Sequence, residues 1–262
     1  MRIEILNRTD SEINFVVRGI TPGFANLLRR AMMMEVPTLA IEWVDFIKND
    51  SALQDEILAN RLGQIPLTFD KKAYNLPEEC TCKGKGCSRC QVKLVLSKKG
   101  PCMVYSGDLK SRAKDVKPVF DNIPIVELFE GEELEFEAIA QLGFGREHVK
   151  WQASIVGYKN SPLVTIIPKD KNYEKYLKLC PRGHVFKVGN KIVITGIDDC
   201  TLCQKYKEIS KGDEVKVEDG EDIFVFNVES VSGWKAEEVV LEALDQLEKR
   251  LKEFKKKLKK VK

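Results

Sequence analysis

The last part of the chain carries a long and regular series of apolar residues. Their spacing alternates between four and three residues, which is typical of one continuous face of a helix. The series consists of Val240, Leu244, Leu247, Leu251, Phe254, Leu258 and Val261. A helix of about 27 residues would be roughly 40 Å long and would extend past the edge of a small domain. The pattern therefore predicts half of an interface with another helix or groove.

A helix is also predicted near the start of the chain. Thr21 can cap this helix and Pro22 suits its first position, whereas Pro37 forces the preceding residue out of helical geometry. At helical spacing, one face carries Phe24, Leu27, Leu28 and Ala31. The same helix carries Arg29 and Arg30, which we interpret as candidates for polar contacts with a large partner. The alternative interpretation is that both arginines are ordinary surface residues.

Further secondary structure follows from local patterns. A strand is predicted over residues 40–47, and Ser51 with Gln54 matches the capping box at the start of a second helix. Gly63 followed by Pro66 marks the end of that helix. Alternation of apolar and polar residues predicts additional strands at 2–8, 13–18, 92–97, 103–109, 134–142, 150–158 and 222–230.

Length and composition limit the class of protein. With 262 residues, of which 43% are hydrophobic, the chain is long enough for two domains or for one domain with an insertion. No stretch reaches the ~18 consecutive apolar residues of a membrane span, and the first residues do not match a signal peptide. We therefore expect a cytoplasmic protein without a membrane partner.

Charge is distributed unevenly along the chain. The net charge is +3, yet residues 248–262 contain nine Lys or Arg against two Glu, a local charge of +7. The rest of the chain therefore carries about −4, which argues against a nucleic-acid-binding surface on its body. We interpret the basic segment as a solvated helix end, where lysines complement the helix dipole, with nucleic-acid contact as the alternative.

Eight cysteines in a chain without an export signal favour metal binding over disulfides. Four of them form the pattern C-x-C-x4-C-x2-C, namely Cys80, Cys82, Cys87 and Cys90. Four thiolates on a backbone freed by Gly84 and Gly86 can close tetrahedrally around one Zn²⁺. The spacing between the first two cysteines is tighter than the usual C-x2-C. Incomplete occupancy of the site by metal, or a disulfide under oxidising conditions, is therefore an alternative. Cys102 stands alone and is predicted to be a buried small apolar residue.

A second group of cysteines comprises Cys180, Cys200 and Cys203. Cys180 belongs to a Cys-Pro pair like the remote ligand in two-cluster ferredoxins, and the other two form C-x2-C. Tyr206 stands where a third cysteine of such a run would lie, so only three thiolates are available. Three thiolates favour a [3Fe–4S] cluster. A [4Fe–4S] cluster with one weak or exogenous ligand is the second choice. The alternatives are zinc bound by these cysteines together with His184, or a domain that has lost its metal.

Two segments carry a resemblance to a known family. Residues 19–67 hold the helix, strand and second helix in the order described above, and residues 143–151 read GFGREHVKW. Both resemble the alpha-like subunits of multi-subunit RNA polymerases, in particular the archaeal D-type family and its eukaryotic third-subunit relatives.

The resemblance implies an α+β fold made of three parts. Residues 1–40 and 222–262 would form a split alpha-like dimerisation domain. Residues 41–160 would form an inserted, mostly-β domain that holds the zinc-binding loop, and residues 161–221 would form a small ferredoxin-like domain with an iron–sulfur cluster.

The resemblance also implies a function in assembly. The chain would be a noncatalytic scaffold subunit of DNA-directed RNA polymerase that pairs with a small alpha-like subunit of the archaeal L type and then nucleates binding of the large catalytic subunits. No catalytic residues and no sequence-specific DNA contacts are expected, because the sequence offers no clustered acidic motif for the Mg²⁺ pair of polymerase chemistry. The alternative is a ferredoxin-like electron carrier or redox sensor. The implied partner interface comprises Phe24, Leu27, Leu28, Arg29, Arg30, Val240, Leu244, Leu247, Leu251, Phe254 and Leu258.

Overall fold

The computed structural model describes residues 1–166, 185–188, 191–194 and 215–260, with side chains over 1–161 and 222–260. The helices in these ranges are α1 (Pro22–Met34), α2 (Asp55–Gly63) and α3 (Ala236–Lys260), with 3₁₀ turns at Ser106–Asp108 and Val149–Trp151. The strands are β1 (Arg2–Arg8), β2 (Glu12–Arg18), β3 (Thr38–Asn49), β4 (Gln91–Lys99), β5 (Cys102–Tyr105), β6 (Lys110–Ser111), β7 (Pro124–Leu128), β8 (Glu133–Gly143), β9 (Ser154–Ile166), β10 (Val185–Val188), β11 (Lys191–Ile194) and β12 (Val215–Ser230).

The chain divides into two compact units, each of which combines segments that are far apart in the sequence. The first unit consists of Met1–Arg8, Ile13–Leu27 and Gly157–Asn227. The second unit consists of Thr9–Glu12, Leu28–Val156 and Val228–Lys262. The candidate metal centre and α3 both lie in the second unit.

The first unit is organised by a four-stranded sheet with the order β1-β2-β12-β9. The strands predicted over 2–8 and 13–18 are present and form a hairpin, in which β1 pairs antiparallel with β2 from Arg2 opposite Arg18 to Arg8 opposite Ile13. The ring of Phe15 on β2 stacks on that of Phe226 on β12, with 5.1 Å between ring centroids. These aromatic residues are buried, whereas every residue of β1 is exposed.

The second unit is built around a four-stranded sheet with the order β3-β8-β4-β6, and β5 pairs with β7 separately. β3 and β8 run antiparallel from Thr38 opposite Gly143 to Asn49 opposite Leu134. Two irregularities interrupt this ladder, so the sides of β3 do not alternate strictly as a regular strand would. The core of this unit contains Leu58, Leu62, Leu94, Leu96, Leu134 and Phe136.

Local sequence signals predicted several element ends correctly. The backbone N–H of Phe24 donates to Oγ1 of Thr21 at 3.3 Å, so Thr21 caps α1 as predicted, and α2 ends at Gly63. The predicted capping box of α2 was wrong. Gln54 is the N-cap without a side-chain cap hydrogen bond, and the Ser51 hydroxyl donates to Oδ1 of Asn49 at 2.6 Å.

The prediction for Cys102 was also wrong. This cysteine is half-buried, and its thiol donates a hydrogen bond to the carbonyl oxygen of Lys99 at 3.4 Å. The strand predicted over 103–109 ends earlier, at Tyr105, because the backbone then turns through the 3₁₀ segment Ser106–Asp108.

The loop that follows β8 packs tightly on the end of α1. A side chain at Gly145 would place its Cβ 2.6 Å from the carbonyl oxygen of Met33, and a Cβ at Gly143 would collide with the ring of Trp151. Real Cβ atoms do not approach backbone oxygens so closely, so glycine is required at both positions by close packing. The GFGREHVKW segment thus has a structural role, because it packs the loop after β8 closely against the end of α1.

The mixed architecture of helices with a majority of strands agrees with the predicted class. The split dimerisation domain, the ferredoxin-like domain and the three domain boundaries stay predictions. Between residues 167 and 214 only the antiparallel hairpin of β10 and β11 lies within the described residues.

Candidate metal centre and partner-binding helix

The four clustered cysteines meet in one place. The Sγ atoms of Cys80, Cys82, Cys87 and Cys90 all lie within 4.8 Å of one another. The Sγ atoms of Cys80 and Cys87 are 3.5 Å apart, as are those of Cys82 and Cys90. Cys80 and Cys90 are buried, and the other two are half-buried. The group therefore has the size and burial of a site that could hold a metal ion.

The local sequence explains why the loop closes. Lys83, Gly84 and Gly86 all have positive φ angles, of 55°, 77° and 91°, so the backbone reverses its direction within a few residues. A Cβ at Gly86 would overlap the side chain of Gln91, the first residue of β4, so glycine lets the loop pack closely on the start of this strand. Two turns complete the arrangement: the N–H of Lys83 donates to the carbonyl of Cys80 at 2.9 Å, and that of Cys90 donates to the carbonyl of Cys87 at 3.0 Å.

The thiols differ in acidity. Burial opposes ionisation of Cys82, but hydrogen bonds from the Cys80 and Cys90 thiols and from the Gly86 amide lower the pKa of Cys82 to about 6. Burial is the main reason that the pKa of Cys90 is raised to about 12. Four thiolates in this space therefore need a bound cation, which deprotonates its thiol ligands.

Cationic residues occur in the loop that carries this centre. Lys83, Lys85 and Arg89 lie in the same loop and are exposed. They can offset the negative charge that four thiolates leave on a divalent ion. A closed set of four sulfur ligands leaves no open position for a substrate or water, which is the arrangement of a structural metal site.

The second cysteine group lies outside the described residues. Cys180, His184, Cys200, Cys203 and Tyr206 all fall within ranges whose structure is not described. The iron–sulfur ligands and the zinc alternative therefore stay predictions.

Helix α3 confirms the predicted helix at the end of the chain, and it has 25 residues. Its buried residues are Ala236, Val239 and Ala243, so the side that packs on the chain is offset from the predicted apolar series. Leu244 is 40% exposed, and Val240 and Leu247 are half-buried.

Beyond this point the apolar residues are largely exposed. Leu251, Phe254 and Leu258 are 68%, 66% and 61% exposed, and every residue from 251 to 260 is exposed. Val261 lies outside the described residues. The structure thus leaves the last turns of the helix without a covering surface among the residues it describes.

The candidate interface residues of α1 divide into two sets. Phe24 and Leu27 are 37% and 48% exposed, whereas Leu28 is only 5% exposed and belongs to the core of the chain. Arg30 is exposed. Arg29 is half-buried, and its Nη1 lies 3.4 Å from Sδ of Met33.

Glu35, just after α1, is a residue to which the sequence patterns gave no role. Its carboxylate accepts from Nη1 of Arg146 at 2.9 Å and from Nη1 of Arg250 at 2.8 Å, and its side chain is only 16% exposed. One carboxylate therefore joins the loop after β8 to the middle of α3. A signal was present, because an acidic residue at the C-terminal end of a helix opposes the helix dipole unless cations compensate it.

Helix α3 also contacts the segment that leads into the cysteine cluster. Nζ of Lys249 lies 2.8 Å from Oε1 of Glu79, the residue before Cys80. Both side chains are about half exposed, so this ion pair contributes little to stability. It places the four-cysteine loop beside the part of α3 where the exposed series begins.

No helix in the described parts of the chain is long and apolar enough to cross a membrane.

Comparisons with known proteins identify the family. Residues 44–173 match the family model described as the RNA polymerase Rpb3/RpoA insert domain. The DNA-directed RNA polymerase subunit Rpo3 of Methanosphaera stadtmanae is 41% identical over 94% of this chain and 94% of its own length. Rpo3 of Methanosarcina acetivorans is 41% identical over 97% of each chain, and Rpo3 of Pyrococcus furiosus is 39% identical over 97% of this chain and 95% of its own. The predicted family of alpha-like polymerase subunits is confirmed, and the chain belongs to the Rpo3 family of archaeal DNA-directed RNA polymerase subunits.

Proposed function

We propose that this chain assembles RNA polymerase by pairing through α1 and α3 with a small alpha-like subunit, after which the pair binds the large catalytic subunits. Its family membership makes it a noncatalytic assembly subunit of DNA-directed RNA polymerase, so the predicted function is confirmed at that level. The predicted alternative, a ferredoxin-like electron carrier or redox sensor, is not supported.

The observation that carries the pairing proposal is the exposed apolar series on α3. Leu251, Phe254 and Leu258 lie at i, i+3 and i+7 on one face, each more than 60% exposed. Burial of a large apolar side chain contributes about 1.5–3 kcal/mol, so leaving three of them in water is unfavourable. Such a narrow stripe on a long helix suits packing against a second helix.

Exposed apolar residues on β1 and α1 support a second contact area of the same kind. Ile3 and Ile5 are 62% and 52% exposed, and Phe24 and Leu27 are accessible as well. We assign these residues to the small subunit. Arg30, which is exposed on α1, is assigned to a polar contact with a large subunit.

For the four-cysteine centre we assign a structural Zn²⁺. Four sulfur ligands in a closed, partly buried cluster match the ligand preference of zinc. Zinc would fix the conformation of the loop, and the residue before it, Glu79, pairs with Lys249 of α3. An iron–sulfur cluster on Cys180, Cys200 and Cys203, with a [3Fe–4S] cluster favoured, remains our proposal for the residues beyond β9.

Coexpression tests the function. When the full chain is produced together with the small alpha-like polymerase subunit from the same genome, light scattering after gel filtration should give a complex with one copy of each. The apolar surface on α3 drives this association, since it is accessible in the chain alone. A chain that stays monomeric beside an equal amount of the folded small subunit would contradict the proposal.

A further inference from the structure

The distal segment of α3, residues 251–260, combines its apolar stripe with an excess of positive charge. It contains six lysines and one glutamate beside Leu251, Phe254 and Leu258, a net charge of +5. All ten residues are exposed. Like charges at this density repel one another along a helix, so the segment gains stability from any surface that neutralises it.

The lysines fall into two sets by their position around the helix. At 3.6 residues per turn, Lys255 and Lys257 lie on either side of the apolar stripe, within roughly 95° of its centre. Lys256 and Lys260 lie on the opposite side, roughly 150° or more from the centre. The first pair thus flanks the stripe, in the positions from which coiled-coil helices form ion pairs with a partner.

The described residues do not neutralise the flanking pair. Nearer the domain, Lys249 pairs with Glu79 and Arg250 with Glu35. Within the described residues, no carboxylate is seen to pair with Lys255 or Lys257. The positive charge beside the stripe is therefore available to another molecule.

The shape of the apolar stripe decides which class of molecule fits. Leu251, Phe254 and Leu258 span roughly 60° of the helix, which is the narrow seam of helix pairing, whereas a helix lying on a membrane uses a wide apolar face. Nucleic acid would neutralise the lysines but would leave these three side chains uncovered. An apolar seam with acidic edges satisfies both features at once.

We propose that the distal segment of α3 binds a helix of the small alpha-like subunit whose apolar seam is flanked by carboxylates, which pair with Lys255 and Lys257. The proposal rests on the proposed function and specifies the chemistry of the partner surface. The cations select the partner and its register, and the apolar stripe supplies most of the affinity.

Two double variants of the full chain test the assignment. Lys255→Glu with Lys257→Glu reverses the flanking charges, and Lys256→Glu with Lys260→Glu makes the same change of net charge on the opposite side. In titrations with the small subunit at low salt, the flanking variant should raise Kd about tenfold or more, since two attractive pairs become repulsive. The control variant should stay within about twofold, because its charges lie farther from the partner.

Two further measurements separate helix loss from charge loss. The difference between the variants should shrink in about 1 M salt, where the Debye length falls to about 3 Å. Lys255→Gln with Lys257→Gln removes the attraction without adding repulsion and should weaken binding less than the glutamate pair. Far-ultraviolet circular dichroism should show equal helix content in all variants.

The outcomes distinguish this proposal from the proposed function. If the flanking variant binds the small subunit as tightly as the wild type, or if both glutamate variants weaken binding equally, the acidic seam is overturned. The proposed pairing with the small subunit is not affected by either result. Failure of the wild-type chain to bind the small subunit overturns both. Binding of a short DNA duplex by the wild-type chain, lost equally in both glutamate variants, would assign the lysines to nucleic acid and overturn the acidic seam.

Discussion

Replacement of Leu251, Phe254 and Leu258 by serine is expected to abolish pairing with the small alpha-like subunit. These side chains are 61–68% exposed in the chain alone, so their stabilising burial occurs only in a complex. Loss of that burial should cost about 5 kcal/mol of binding free energy, which corresponds to a Kd increase of at least about 10³-fold. Gel filtration of the coexpressed chains measures the loss of the complex.

A matched control uses exposed apolar residues elsewhere in the second unit. Ile47, Phe120 and Phe129 are 70%, 56% and 58% exposed, and serine at all three should leave pairing with the small subunit intact. Thermal unfolding of the α3 variant alone should be unchanged, because its substituted side chains make little contact in the free chain. Retained pairing in that variant would show that α3 is not the contact surface.

Loss of the metal from the four-cysteine centre is expected to have the second large effect. The purified wild-type chain should carry one zinc at this centre, and Cys90→Ser should lose it, because Cys90 is a buried member of the ligand set. At a zinc concentration of about 1,000 times Kd, binding stabilises the folded state by about 4 kcal/mol, and the variant should lose a comparable amount. Metal analysis with thermal unfolding measures both effects.

Cys102→Ser is the matched control for this variant. Cys102 lies outside the cluster, and its described hydrogen bond is to the carbonyl of Lys99. The zinc content of the Cys102→Ser variant should therefore equal that of the wild type. The loop of the Cys90 variant should also become sensitive to trypsin at Lys83 and Lys85, which lie within the backbone reversal. A Cys90 variant that retains zinc and its stability would contradict the assignment.

Metal analysis also separates the two cysteine groups. Iron found beside zinc would belong to the predicted cluster on Cys180, Cys200 and Cys203, and serine at these three positions should remove iron but leave zinc. Iron that disappears in the Cys90 variant would instead place it in the four-cysteine centre, against the zinc assignment.

Local patterns in the sequence predicted those parts of the structure that depend on neighbouring residues. The start of α1 at Pro22 depends on the Thr21 hydroxyl, and the end of α2 depends on Gly63, both within a few residues of the feature. The four-cysteine cluster was recognised for the same reason, because its ligands lie within eleven residues and glycines allow the reversal.

Features set by distant residues could not be read from these patterns. Glu35 joins Arg146 and Arg250, which are 111 and 215 residues away in the sequence, so its place at the end of α1 indicates a need for cations but no local spacing identifies these two partners. The buried side of α3 was also offset from the predicted series, because the helix packs on its own domain through the small residues Ala236 and Ala243. The capping box predicted for α2 was wrong because the Ser51 hydroxyl donates its hydrogen bond to Asn49.

Amide hydrogen exchange over residues 251–260 tests the pairing of α3 most directly. In the chain alone these amides should exchange quickly, because the segment is exposed and makes no described tertiary contact. Addition of excess small alpha-like subunit should slow their exchange by about 100-fold or more, whereas β4 in the interior of the second unit should not change. Exchange over 251–260 that stays as fast in the complex as in the free chain would contradict the account.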